Sequence, residues 1–149
     1  MVKEQLRIHL ILLFLVFFSF AGVGQSKIQW AYSYNPDQKT IDIKAKIADG
    51  WHLYSQHVSN EIGPVPTSFV FKENNLIKLI GKVTEPKPIQ KYDENFEAML
   101  DFFEGEVTFS QRISAKESTK VEGVVTYMLC NDTMCLPPVE EQFTIEITN

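Results

Sequence analysis

Beyond residue 27, apolar and polar residues alternate along most of the chain. Ile28, Trp30 and Tyr32 alternate with Gln29, Ala31 and Ser33. Further on, Ile41, Ile43, Ala45 and Ile47 alternate with Asp42, Lys44 and Lys46. A period of two sends successive side chains to opposite faces, so each stretch reads as a half-buried strand. Between them, Asn35-Pro36-Asp37-Gln38 has turn chemistry. Pro64 and Pro66 suit the entry to a strand over 67–72. The stretch 76–83 carries β-branched isoleucines near Gly81 and reads as strand rather than helix. Residues 84–96 are polar and hold two prolines, which predicts a loop. Two strands with a turn near Glu104-Gly105 follow, then strands over 121–129 and 139–148. Short strands at this spacing, without a helical period, predict an all-β sandwich. Nothing in the pattern marks a repeat or a second domain.

The first residues follow a different rule. Lys3 and Arg7 precede a stretch, 10–18, with no polar residue, and Ala21-Gly22-Val23-Gly24 comes next. Basic end, short apolar run and small residues are the three parts of a secretory signal. The expected division is a signal peptide over 1–24 and one folded domain over 25–149. The apolar run is short for a transmembrane helix, which needs about 20 residues; retention as an anchor stays open. An exported chain can form lasting disulfides, so a periplasmic or secreted location is expected.

Composition adds little more than exclusions. Hydrophobic residues make up 44% of the chain, enough for a packed core. The formal net charge of −5 argues against nucleic acid, whose binding depends on clustered Lys and Arg. No small-molecule substrate is indicated either.

The chemistry centres on "YMLCNDTMCLPP" at 127–138, which contains both cysteines of the chain, Cys130 and Cys135. Five steps of extended strand would span about 16 Å, whereas a disulfide needs Cα atoms about 4.4–6.8 Å apart. The backbone must therefore reverse between them if they bond. Asn131-Asp132-Thr133-Met134 can supply a hairpin loop that leaves the two cysteines as the first cross-strand pair. Closing so short a loop stabilises by about 2 kcal/mol, against about 4.7 kcal/mol for a loop of 100 residues. Spacing alone leaves three readings: a structural bridge, a redox pair, and a zinc site completed by His52 and His57. The two histidines lie five positions apart, on opposite faces of an extended strand, and are expected to face solvent.

Together, "GWHLYSQH", "GPVPTSFVF", "KYDENF" and "YMLCNDTMCLPP" resemble the N-terminal periplasmic domain of the thiol:disulfide interchange protein DsbD. The Cys-centred stretch with its Leu-Pro-Pro is the most specific part. It is one residue shorter between the cysteines than in the best-known members. The resemblance implies an immunoglobulin-like β-sandwich that relays reducing equivalents to thioredoxin-like or disulfide-isomerase-type proteins of the periplasm. It implies that Cys130 and Cys135 are the redox pair, with Cys135 forming the mixed disulfide and Cys130 resolving it. It also implies that Asp93, Glu94 and Phe96 belong to a loop capping the cysteines. No cofactor or metal is expected. The chain is expected to be a stand-alone relative whose membrane electron donor is encoded separately. Whether it turns over by itself as a protein-disulfide reductase stays open, as does the alternative of a secreted binding module with a structural disulfide. Acidic groups near the cysteines disfavour a thiolate, so the resting thiols are expected to be sluggish until a partner displaces the cap.

Overall fold

The computed structural model describes residues 26–59, 61, 63–72 and 74–148. The expected signal peptide lies outside the described residues. Among the described residues the regular structure is entirely β, with eleven strands. They are β1 (Ile28–Asn35), β2 (Thr40–Ile47), β3 (His52–Tyr54), β4 (Ser68–Phe71), β5 (Ile77–Thr84) and β6 (Ile89–Asp93). There follow β7 (Ala98–Phe103), β8 (Glu106–Ala115), β9 (Thr119–Tyr127), β10 (Leu129–Cys130) and β11 (Val139–Ile147). No helix among the described residues is long and apolar enough to cross a membrane.

The strands form three antiparallel sheets, in the orders β1-β2-β8-β5, β10-β3-β7-β6 and β11-β9-β4. Ring contacts show how they stack. Trp30 on β1 meets Phe69 on β4, and Tyr32 stacks on Phe143 of β11 at 4.8 Å. Phe109 on β8 meets Phe103 on β7 edge-on. The first sheet thus forms one layer, and the other two lie side by side as the second. The alternation read from sequence faces this interior. Ile41, Ile43, Ala45 and Ile47 are buried on β2, as are Val107, Phe109 and Ile113 on β8 and Val121, Val125 and Tyr127 on β9. Complete burial of a ring such as Phe109 stabilises by about 1.5–3 kcal/mol.

Two turns depend on glycine, and the one at Gly105 falls where the sequence places it. Gly50 and Gly105 take the left-handed backbone, at φ 76° and 68°, that side chains disfavour. The stretch 84–96 departs from expectation, because β6 lies inside the anticipated loop. β6 pairs along its whole length with β7 and, among the described residues, has no neighbour on its other side. An edge strand with four exposed residues buries no alternating face, so the pattern carried no signal.

Strand β3 shows what is special about this end of the sandwich. Its three residues, His52, Leu53 and Tyr54, are all buried. Leu53 points into the main core, while Tyr54 belongs to a smaller cluster with Leu100, Phe102 and Cys130. The second sheet is therefore covered on both faces here: by the sandwich on one side, and on the other by the cysteine hairpin and the turn between β6 and β7.

Candidate functional site: a capped disulfide

The cysteine segment folds as a hairpin. Cys130 and Cys135 form an antiparallel bridge, flanked by Leu136 N–H donating to Leu129 O at 2.8 Å and Asn131 N–H donating to Met134 O at 2.9 Å. The Asn131 side chain builds the loop: its Oδ1 accepts from the backbone N–H of Thr133 at 2.9 Å and of Met134 at 2.8 Å. Asparagine favours this turn because its short amide reaches its own backbone two residues on. The result is a Cys130–Cys135 disulfide with Cα atoms 4.0 Å apart. Its two sulfurs differ in setting. Cys130 is fully buried, Cys135 is half-buried, and Met134 beside it is exposed.

Over this bond lies the four-residue turn that joins β6 to β7. It is built by Asp93, whose Oδ1 accepts from the backbone N–H of Asn95 at 2.8 Å and of Phe96 at 3.2 Å. Glu97 closes it with a left-handed backbone, φ 53°. The turn lays the Phe96 ring against the cluster that contains both cysteines and Tyr54. Its Asn95 Nδ2 also donates to Asn131 O at 2.8 Å, joining turn and hairpin directly. Glu94 is exposed at the rim. Of the five residues singled out from the sequence, Cys130, Cys135, Phe96 and Asp93 are brought together, and Glu94 stands beside them in solvent.

Sequence reasoning missed Tyr54 and weighed His52 only as a zinc ligand. Tyr54 Oη donates to Asp93 Oδ2 at 2.6 Å, and His52 Nε2 lies 3.0 Å from Tyr54 Oη and 3.2 Å from Asp93 Oδ2. The single Tyr54 hydroxyl proton is used on Asp93. Both neighbours of His52 Nε2 are therefore acceptors, and Nε2 must carry a hydrogen. The ring is stacked on Phe102 at 4.5 Å. The expectation that His52 faces solvent is corrected: it is 6% exposed, because the cap covers the outer face of β3. The period-two rule did place His52 and Tyr54 on one face, but nothing local said that this face is covered.

The zinc arrangement does not form. The cysteines are bonded to each other, His52 is held by Asp93, and the exposed His57 lies against Glu85 at 3.9 Å. No group of three or more His, Cys, Asp or Glu side chains suited to a metal occurs among the described residues.

Charge in this cluster is set by its surroundings. Burial pushes the His52 imidazole below its ordinary value, against the pull of Asp93, Glu104 and Asp132. Burial alone would raise Asp93, but the bonds from Tyr54, Asn95 and Phe96 outweigh it and hold the carboxyl below its usual range. Tyr54 is raised far above an ordinary phenol by burial and by its bond to Asp93. At neutral pH the cluster is an ionised Asp93 served by two neutral donors. A cleft of about 230 Å³ opens beside it between cap and hairpin, lined by residues that include His52, Lys91, Glu94 and Asp132.

The family described as thiol:disulfide interchange protein DsbD, N-terminal, matches residues 23–147. The chain belongs to the DsbD N-terminal domain family. It is 27% identical over 112 residues to the thiol:disulfide interchange protein DsbD of Ralstonia nicotianae, a match covering 74% of this chain and 16% of that protein. The chain thus spans about a sixth of the length of that curated relative. Among solved structures it is similar to the DsbD N-terminal domain of Neisseria meningitidis in its reduced form, with TM-score 0.60 and 18% identity over 83% of this chain and 87% of that one. The complex between the DsbD and PilB N-terminal domains of the same organism matches with TM-score 0.58 and 18% identity, over 78% of this chain and 80% of that one. The N-terminal periplasmic domain of ScsB from Proteus mirabilis matches at TM-score 0.52 and 14% identity, over 78% and 44%. These likenesses bear out the immunoglobulin-like β-sandwich of the DsbD N-terminal family.

Proposed function

We propose that this chain exchanges a dithiol for a disulfide with protein partners in the periplasm through Cys130 and Cys135. The observation that carries the proposal is the placement of the bond: at a hairpin tip, with a half-buried Cys135 beneath the four-residue turn between β6 and β7 rather than inside the main core. Membership of the DsbD N-terminal family supports the same chemistry.

In the reduced state the Cys135 thiolate attacks one sulfur of a partner disulfide, and the partner's other sulfur leaves as a thiolate. Cys130, held beside it, then attacks Cys135 Sγ of the mixed disulfide. The Cys130–Cys135 bond forms and the partner departs as a dithiol, having received two electrons and two protons. A separate dithiol donor at the membrane restores the reduced pair by the reverse sequence. Cys135 is assigned the attack because it is the more exposed sulfur; the buried Cys130 suits resolution. Phe96 covers the pair, and the ionised Asp93 nearby disfavours a stray thiolate. Together they keep the thiols from wasteful oxidation until a partner displaces the turn. The clients are thioredoxin-like or disulfide-isomerase-type proteins, in keeping with the Neisseria DsbD–PilB complex.

The test is to trap partners. A Cys130→Ala variant, offered a periplasmic extract, is expected to accumulate mixed disulfides through Cys135 that a reductant releases. Recovery of none, or a midpoint potential for the wild-type pair below about −300 mV, where structural bridges lie, would overturn the exchange reading in favour of a binding module with a structural bridge.

A further inference from the structure

We propose that His52 is a positioning residue for disulfide exchange, acting through Asp93 to hold the cap turn closed over the Cys130–Cys135 bond. The inference rests on the exchange reading and adds to it the element that governs access.

A single carboxylate joins two parts of the fold. Its Oδ1 shapes the cap turn by accepting from Asn95 and Phe96, and its Oδ2 ties that turn to β3 by accepting from Tyr54 and His52. His52 is the cross-strand partner of Cys130 in the β3–β10 ladder. The residue that holds the cap and the residue that carries the buried sulfur are therefore fixed to each other by backbone bonds. A partner that lifts Phe96 to reach Cys135 must move the turn that Asp93 shapes, and so strain or break the bonds from β3.

The setting of His52 points the same way. Its ring lies between Phe102 and Tyr54, a place an apolar ring would fill without desolvating a polar group. What histidine adds there is one N–H aimed at Asp93 Oδ2, and the Tyr54 proton already committed to Asp93 requires Nε2 to be the donor. Tyr54 fixes the carboxylate, and His52 adds a second donor to the same oxygen. Asn95 Nδ2 donating to Asn131 O also ties the turn to the hairpin, but that bond lies at the exposed rim.

The experiment compares wild type, His52→Phe and His52→Gln, each as the oxidised full-length domain. The rate of Cys130–Cys135 reduction by dithiothreitol is measured together with the urea unfolding midpoint. His52→Phe keeps the ring stack but has no N–H to offer, and is expected to be reduced about fivefold faster, the loss of one hydrogen bond across the cap. His52→Gln places an amide N–H near the former Nε2 and is expected to return the rate to that of wild type. If His52→Phe does not fold, His52→Asn, whose shorter amide does not reach Asp93, takes its place with the same expectation. An unchanged rate in the variant lacking the donor, or a Gln variant as fast as it, would overturn the proposal. A small dithiol reads only the cap, whereas partner trapping reads exchange, so either idea can fail alone.

Discussion

Tyr54 Oη and Asp93 Oδ2, 39 residues apart in sequence, share a buried hydrogen bond of 2.6 Å that joins the strand beneath the disulfide to the turn above it. Asp93 is 4% exposed, so this carboxylate depends on protein donors rather than water. Tyr54→Phe removes one donor and nothing else of size. It is expected to lower stability by about 1–3 kcal/mol, the cost of leaving a buried group short of a partner. Urea unfolding of the oxidised protein checks this, and an unchanged midpoint would mean that the bond contributes nothing net.

Stability is expected to fall on acidification in two stages. The folded-state His52 titrates below its ordinary value of about 6.5 because burial disfavours its charged form. The unfolded chain then takes up a proton that the folded chain refuses. The contribution of His52 is complete above about pH 6.5 and is lost as pH falls toward the folded value. Asp93, also depressed, acts lower: its contribution is present above about pH 3.9 and is lost as pH falls through its folded value. Unfolding midpoints measured from pH 8 to pH 3 are expected to show both losses. His52→Gln is expected to abolish the upper one and Asp93→Asn the lower.

Phe96 is the apolar part of the cap. Phe96→Ala, in the reduced protein, is expected to speed alkylation of Cys135 about tenfold, which corresponds to about 1.4 kcal/mol less shielding. The apparent pKa read from the pH dependence of the intact protein is expected to lie at or above that of an ordinary thiol. A value well below 8 would contradict the picture of resting, unreactive thiols.

The disulfide itself closes a loop of few residues at the edge of the sandwich. Its reduction is expected to cost about 2 kcal/mol and to leave the β circular dichroism signal intact, because the main core contains neither cysteine. Loss of the fold on reduction would mark the bond as a staple.

Much of this architecture follows from local rules, and the misses show where those rules stop. The β2, β8, β9 and β11 alternation was readable because each strand buries one face against a single core. Strand β6 was not, since an edge strand exposed on both faces has no alternation to read. Cys130 and Cys135 announced themselves by being the chain's only cysteines, at a spacing that demands a reversal. Asp93 and Phe96 were reached through the likeness of a short motif, because "KYDENF" by itself reads as a surface turn.

By itself the sequence determined the strands that alternate over one core, the reversal that bonding of the two cysteines requires and the small acidic turn, since each depends on residues within a few positions of one another. Only the tertiary structure decided that the acidic turn folds over the hairpin and that His52 is a buried donor rather than a surface residue. His52 and Asp93 are 41 positions apart. Whether a strand's second face meets water or a covering turn depends on how distant segments pack, which no local period records.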